Sequence, residues 1–255
     1  MNHKALAEII ATTSLNPLKE AISKSQYNTF IVFDVDEVIL TSEDQLFHPH
    51  YIDRLMKFDK ELATRLKEAE IDNLWSQVFK TRKAVLVDYE FPEILKLIKK
   101  NQRHSFALTK SNTGKVGSIS KMEDWRINEL KSLGVDFSLL SPFKEEIILN
   151  YSDYKKGTPM YKEGVIFTCN KDKGKVLEEF LKKSLLKPAY LIFIDDKLEN
   201  LVSVKKICNK LEIGFLGIHY KVLQEMPHLP LNEEKARLQL YRLETEKKWI
   251  SDKEL

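Results

Sequence analysis

The chain has 255 residues, with 41 lysines and arginines against 38 aspartates and glutamates, so its formal net charge is only +3. This length can bury a substantial core, and a charge so near balance argues against a nucleic-acid-binding surface. The apolar runs are too short to span a membrane, and the first ten residues lack the apolar stretch of a signal peptide. Two cysteines, Cys169 and Cys208, show no metal-ligand spacing and suit a reducing compartment.

The first predicted core strand ends on two carboxylates. A weakly helical segment, residues 15–24, leads into the apolar run Ile31 to Phe33, which Asp34 and Asp36 follow. Its β-branched and aromatic residues predict a buried strand of a parallel sheet. Open α/β sheets hold ligands at the carboxyl ends of their strands, which is where both aspartates fall. Two anions so close repel unless a cation or shared proton compensates, and a divalent metal is the simplest compensation.

A helical insert follows this strand. Residues 51–80 are rich in charge, with leucine, isoleucine and valine at roughly helical spacing, which predicts about two helices. Trp75 and Phe79, at positions i and i+4, are interpreted as core residues of the insert, with a substrate platform as the alternative. His48 and His50 flank a proline and are interpreted as loop residues. Residues 84–88 then predict a short strand or an extended arm.

The rest of the chain alternates strands with helices. Strands are predicted at residues 104–109, 135–140, 190–196 and 214–218; helices are predicted at residues 93–100, 120–134, 173–183 and 199–211. Ser120 and Glu123 predict a capping box for the second of these helices, and Asp172 an N-cap for the third. Residues 145–150 and 160–167 predict a hairpin-like pair around Lys156–Gly157.

This order predicts an α/β fold: a Rossmann-like parallel sheet with helices on both faces and a small helical cap inserted after the first strand. We assign residues 1–41 and 84–222 to the core, 42–83 to the insert and 223–255 to a C-terminal helical segment. Asn232 is the predicted N-cap of that last helix, which we expect to pack on the core or to fray at its end. Contact with a membrane surface through Lys247-Lys248-Trp249 is the weaker alternative, because glutamates are interleaved.

Polar groups from four distant segments are expected to meet at one edge of this sheet: Asp34 and Asp36, Thr109, Lys173, and Asp195 with Asp196. Mg²⁺ prefers hard oxygen ligands, so the four aspartates are the predicted metal-binding set. Asp34 can attack phosphorus as a nucleophile, and Asp36 can protonate the leaving oxygen. Thr109 and Lys173 suit phosphate oxygens. Each of these residues alone has an ordinary explanation: Lys173 is flanked by other lysines, as a surface lysine would be, and a DxD sequence is often a solvated turn. Together they favour a catalytic site.

The same residues resemble the motifs of the haloacid dehalogenase (HAD) superfamily in its phosphatase branch. Asp34-Val35-Asp36-Glu37-Val38 is similar to its first motif and Leu108-Thr109 to its second. The third and fourth motifs are matched by Asp172-Lys173-Gly174 and Asp195-Asp196. The resemblance implies Asp34 as nucleophile, Asp36 as acid and base, Mg²⁺ as cofactor, and a cap that selects substrate. Glu37, directly after Asp36, departs from the commonest form of the first motif.

Two longer stretches, residues 159–168 and 193–201, resemble a family of HAD-like proteins from intracellular bacterial pathogens. Some members of that family are secreted effectors that act as protein tyrosine phosphatases. The resemblance implies a phosphoprotein substrate and a protein that is cytoplasmic or secreted into a host cell. A phosphatase of a small phosphorylated metabolite, and a non-catalytic HAD scaffold that binds a partner protein, are the alternatives.

Overall fold

A computed structural model describes residues 8–149 and 157–255 of the chain. The strands are β1 (Glu8–Thr12), β2 (Thr29–Phe33), β3 (Leu40–Ser42), β4 (Ala84–Leu86), β5 (His104–Thr109), β6 (Ile147–Ile148), β7 (Met160–Lys162), β8 (Val165–Phe167), β9 (Tyr190–Asp195) and β10 (Gly214–Tyr220). The helices are α1 (Asn16–Lys24), α2 (Ile52–Ala63), α3 (Glu68–Thr81), α4 (Phe91–Lys100), α5 (Met122–Ser132), α6 (Lys173–Ser184), α7 (Leu198–Lys210), α8 (Val222–Glu225) and α9 (Glu233–Glu246).

The central sheet has eight strands in the order β1-β10-β9-β2-β5-β8-β7-β6. The six strands from β1 to β8 in that order are parallel, whereas β7 pairs antiparallel with both β8 and the edge strand β6. Alternate residues of β2 face opposite sides of the sheet. Ile31 and Phe33 pack with α1, α4 and α5, and Phe30 and Val32 pack with α6 and α7. The predicted fold class, a Rossmann-like and mainly parallel sheet with helices on both faces, is confirmed.

The C-terminal helix α9 packs on the two helices of the insert rather than on the sheet. Ala236, Leu243 and Trp249 share one buried apolar cluster with α2 and α3. Two ion pairs connect these helices. Arg54 of α2 pairs with Glu233 of α9, and Arg65, just after α2, pairs with Glu244 near the end of α9. Sequence reasoning expected this helix on the core, but its apolar stripe matches the apolar faces of α2 and α3. The division of the chain into three parts stays a prediction.

Trp249 anchors the C-terminal segment to the start of the insert. Its side chain is 1% exposed, and its Nε1–H donates to Asp44 Oδ2 at 2.8 Å. We expect Trp249→Phe to lower the free energy of unfolding by about 1–3 kcal/mol, because a buried carboxylate loses a donor. Chemical denaturation measures this loss. Trp75→Phe is the control: it removes a similar bond to the partly exposed Asp59, where water can replace it, so a loss as large as that of Trp249→Phe would contradict the prediction.

Residues 135–140 do not form the predicted third strand. They contain a short 3₁₀ helix, Phe137–Leu139, because the Asp136 carboxylate accepts hydrogen bonds from both the backbone N–H and the hydroxyl of Ser138. A short apolar run does not by periodicity alone separate a strand from a buried helical turn. The strand beside β5 is instead β8.

The predicted capping box of α5 is also wrong. The helix begins at Met122, and Glu123 Oε2 accepts from the backbone N–H of Gly114 at 2.7 Å instead of closing a box with Ser120. Glu123 therefore ties the start of α5 to the loop that follows β5. Tertiary contacts of this kind compete with local caps and leave no sequence pattern.

The predicted hairpin-like pair is correct in its antiparallel pairing of β6 with β7. The stretch 160–167, however, is two strands, because the chain turns at Glu163–Gly164 to form β7 and β8. Gly164 has φ +82°, and a Cβ there would lie 2.6 Å from the backbone of Phe137. Asn150 and Lys156, which belonged to the predicted pair and its turn, lie outside the described residues.

Candidate active site

Three adjacent parallel strands bring the predicted site residues to one edge of the sheet. β2 lies between β9 and β5, and all three run in the same direction, so their carboxyl ends coincide. Asp34 directly follows β2, and its backbone N–H donates to Ile194 O at 2.8 Å, which extends the pairing with β9. Thr109 ends β5 and Asp195 ends β9, and both are fully buried. The edge where open α/β sheets hold ligands is therefore lined with polar groups.

The loop after β2 doubles back immediately. Ile39 N–H donates to Val35 O at 2.9 Å, and Glu37 N–H donates to Leu40 O at 2.9 Å. Glu37 takes a left-handed backbone conformation with φ 65°, which is uncommon for a residue with a side chain. The turn keeps Asp34 Oδ1 within 2.7 Å of the Val35 backbone N–H, so the carboxylate is held by its own loop.

Lys173 lies between two carboxylates from different strands. Its Nζ is 2.7 Å from Asp34 Oδ1 and 2.8 Å from Asp195 Oδ2, and its side chain is fully buried. Helix α6 places it there. The Asp172 carboxylate caps the helix through the Lys175 backbone N–H at 2.8 Å, as predicted. At Gly174 a Cβ would lie 2.5 Å from Ser203 O, so only glycine lets α6 approach α7 this closely.

The start of α7 fixes Asp195. Asn200 Nδ2 donates to both of its carboxylate oxygens, at 2.9 and 3.1 Å, and the Lys197 backbone N–H donates to Oδ1 at 2.8 Å. The main-chain oxygen of Asp196 accepts from His219 and Gln224, each at 3.0 Å. In contrast, Asp196 Oδ1 is buried, and no donor among the described residues reaches it. The Oδ1 atom of Asp196 is thus left available for a ligand.

Asp34, Asp195 and Asp196 form a compact acidic group. One ligand oxygen from each lies within 4.8 Å of the others, and all three residues are buried. Burial raises the pKa of Asp34 well above its usual value against the opposing effect of Lys173, and Asp195 and Asp196 raise it further. Burial also raises the pKa of Asp196 to about 6. Three carboxylates carry more negative charge than the single ammonium of Lys173 compensates. Mg²⁺ prefers hard oxygen ligands, so the uncompensated charge and the unpartnered oxygen of Asp196 fit this ion.

The carboxylate of Asp36 is not part of this group within the described ranges, contrary to its predicted place in the metal-binding set. Its side chain is 47% exposed, and Oδ1 pairs with Arg126 Nη2 at 3.1 Å. Arg126 also pairs with Glu129 at 2.5 Å, and Glu129 pairs with Arg82 at 3.0 Å. A buried cation on α5 thus draws the second carboxylate of the first motif away from the first, which relieves their repulsion. Its predicted role as acid and base stays a prediction.

Thr109, Glu37 and Lys173 complete the polar groups that the four motifs bring to this edge of the sheet. Thr109 Oγ1 accepts from the Ser111 backbone N–H at 3.1 Å, so its hydroxyl hydrogen is free to be donated to a ligand oxygen. Burial, with a contribution from Asp36, raises the pKa of Glu37 to about 8. Burial lowers the pKa of Lys173, but Asp34 and Asp195 outweigh it and the net shift is upward, so the ammonium stays charged.

Comparison with known proteins identifies the family of this chain. A family model described as "Protein of unknown function (DUF2608)" matches residues 11–255. The chain belongs to the DUF2608 family. A Rickettsia prowazekii relative, described as uncharacterized, is 24% identical over 96% of this chain and 89% of its own length. A Chlamydia trachomatis relative, described as a putative outer membrane protein, is 24% identical over 94% of this chain and 87% of its own length.

Among solved structures, the chain is similar to a hydrolase of the haloacid dehalogenase-like family from Streptococcus pneumoniae. The TM-score is 0.36 at 13% identity, over 74% of this chain and 93% of that chain. A match at this level carries no argument about what the DUF2608 chain does. Some relatives of this chain are described as putative outer membrane proteins. In the described part of the chain, no helix is long and apolar enough to cross a bilayer.

Sequence reasoning missed two residues that organise this site, Arg126 and Asn200. Asn200 lies in the first turn of α7, five residues after Asp195, and a polar residue at that spacing from a strand-end carboxylate is a usable signal. Arg126 gave no such signal: it is one of three charged residues among residues 123–126, and only the packing of α5 shows that it is 4% exposed. Charge alone therefore does not distinguish a buried cation from a surface one.

Proposed function

We propose that this protein is a Mg²⁺-dependent phosphatase that hydrolyses a phosphomonoester through an aspartyl-phosphate on Asp34. One observation carries the proposal: Asp34, Lys173, Asp195 and Asp196, from three separate segments, form one buried group at the carboxyl edge of a parallel sheet. Burying three carboxylates around one lysine costs free energy unless a bound cation compensates the excess negative charge. A metal-bound phosphate is a ligand of matching chemistry.

In the proposed reaction an Asp34 oxygen attacks phosphorus, the bond from phosphorus to the leaving oxygen breaks, and Asp36 donates a proton to that oxygen. Asp36 then takes a proton from the water that attacks the aspartyl-phosphate, which releases phosphate and restores Asp34. Lys173 and the Thr109 hydroxyl orient the phosphate oxygens, and Arg126 holds the Asp36 carboxylate. Asp34, Asp195 and Asp196 would hold Mg²⁺, which supplies positive charge against the phosphoryl oxygens.

The proposed phosphatase could act on either of two classes of substrate. The resemblance to effector phosphatases supports a phosphotyrosine protein as substrate and, with it, secretion into a host cell; a small phosphorylated metabolite and a cytoplasmic location are the alternative. Turnover with Mg²⁺ is measured on phosphotyrosine peptides, sugar phosphates and nucleotides. Hydrolysis of any class supports the phosphatase. If none turns over while Mg²⁺ is bound, the protein is instead a non-catalytic scaffold for a partner.

Mg²⁺ binding is expected to weaken at acidic pH. Mg²⁺ needs ionised carboxylates, and burial raises the pKa of Asp196 to about 6 and that of Asp34 above its usual value. Protons on Asp196 therefore compete with the metal below pH 6, so the apparent affinity should fall by about tenfold per pH unit there and less steeply at higher pH. Calorimetric titration with Mg²⁺ between pH 5 and 8 measures this. An affinity that is constant over this range would contradict the proposed ligand set.

A further inference from the structure

A cavity of about 600 Å³ lies between the helical insert and the loop that follows β5. Helices α2 and α3 form most of its wall, and Asn112 and Val116 of the loop complete it. Asn112 is three residues beyond Thr109, so it lies at most about 11 Å along the chain from the end of β5. The lining thus includes a residue that is close along the chain to the edge of the sheet that carries the acidic group.

The wall shared by α3 and this loop is tightly built. A Cβ at Gly117 would lie 2.3 Å from Asp72 O and 2.6 Å from Ser76 Oγ, so the loop backbone touches the helix directly. Ser118 N–H donates to Ser76 Oγ at 3.1 Å. These contacts join the insert to the loop along one side of the cavity.

The lining is apolar and aromatic, and its charged side chains are carboxylates. Trp75 and Phe79 present aromatic rings, and the Trp75 Nε1–H is already engaged by Asp59 Oδ1 at 2.6 Å. Asp59, Glu68 and Asp72 place carboxylates on the lining. Asn112 Oδ1 is buried, and within the described residues it has no hydrogen-bond partner. An acceptor buried without a donor costs free energy unless a ligand supplies one.

We propose that this cavity binds the leaving group of the substrate, and that this group has an aromatic or branched apolar body, at least one hydrogen-bond donor and no negative charge. This inference rests on the proposed function and narrows its substrate. Apolar walls stabilise an apolar body, Asn112 Oδ1 accepts from its donor, and the carboxylates of Asp59 and Glu68 attract a cation and repel an anion. Nucleotides with further phosphates and sugar bisphosphates are thereby disfavoured.

Two matched aryl phosphates test the charge preference: 4-(2-aminoethyl)phenyl phosphate, which carries a cation, and 4-(2-carboxyethyl)phenyl phosphate, which carries an anion. We expect kcat/KM of the wild-type protein to favour the cationic ester by at least about tenfold. Glu68→Gln, a change of charge at an exposed side chain that leaves the fold intact, should reduce this preference several-fold, and adding Asp59→Asn should reduce it further. Equal kcat/KM for the two esters would overturn the proposal.

The aromatic wall is tested by size. Acetyl phosphate has no body to fill the cavity, so Trp75→Ala should lower the ratio of aryl phosphate to acetyl phosphate turnover by at least about tenfold. Tyr27→Ala, at a tyrosine 73% exposed and outside the cavity lining, is the control and should leave the ratio unchanged. An unchanged ratio in Trp75→Ala would show that the leaving group does not contact this wall.

Binding of the free phenols separates this inference from the proposed function. Tyramine should bind the wild-type protein at least about tenfold more tightly than 3-(4-hydroxyphenyl)propionate, and Trp75→Ala should weaken tyramine binding; calorimetry measures both. If tyramine binds with this preference but no ester turns over, the cavity assignment stands and the phosphatase proposal fails. If esters turn over but neither phenol binds preferentially, the phosphatase stands and the cavity assignment fails.

Discussion

Asp34→Asn is expected to lower the turnover of an aryl phosphate by at least about 1,000-fold, because an amide oxygen cannot replace the attacking carboxylate. The fold should persist. The amide oxygen can still accept from the Val35 backbone N–H and from Lys173, the two groups that hold Asp34 Oδ1 at 2.7 Å. Steady-state kinetics with Mg²⁺ measures the loss, and circular dichroism confirms that the variant is folded.

The matched control for this substitution is Glu93→Gln, which makes the same carboxylate-to-amide change at an exposed residue paired with Lys96. It should retain wild-type turnover. Full activity in Asp34→Asn would remove Asp34 as nucleophile and with it the proposed mechanism. A loss of comparable size in Glu93→Gln would show that the assay responds to something other than the site.

Lys173→Met is expected to lower the free energy of unfolding of the metal-free protein by about 3–5 kcal/mol, because it leaves a buried acidic group without its cation. Lys173 is the only described side-chain amine within hydrogen-bond distance of both Asp34 and Asp195. Methionine keeps the length and apolar body of the side chain, so the loss reports the missing charge. Chemical denaturation at pH 7.5 in the presence of a chelator measures it.

Lys175→Met, two residues further along the same helix at an exposed position, is the control and should change stability by less than about 0.5 kcal/mol. Adding Mg²⁺ should restore part of the stability of Lys173→Met, because a ligand that binds only the folded state stabilises it. A variant as stable as the wild-type protein in chelator would show that Lys173 does not compensate the acidic group.

The parallel sheet and its polar edge were predictable from local patterns. The runs before Asp34, Thr109 and Asp195 are apolar and bounded by polar residues, and they form β2, β5 and β9. Strand followed by helix requires parallel neighbours, so the carboxyl ends had to meet. The acidic group of Asp34, Asp195 and Asp196 follows from that geometry. Strand β1, which pairs with β10 at the edge, carries too short a run to be predicted.

Tertiary structure decided what the side chains do once they meet. Whether Asp36 joins the metal-binding group or turns to a cation depends on Arg126, a residue 90 positions away that only the packing of α5 brings near. Likewise, α9 covers the insert and not the sheet because its apolar stripe finds α2 and α3, and the cavity exists because Gly117 lets the loop after β5 touch α3. Periodicity along the chain reports which residues are apolar, whereas ion pairs and cavities depend on contacts between distant segments. For this protein the sequence by itself determined the sheet and the carboxylates at its edge, and only the packed structure determined their partners.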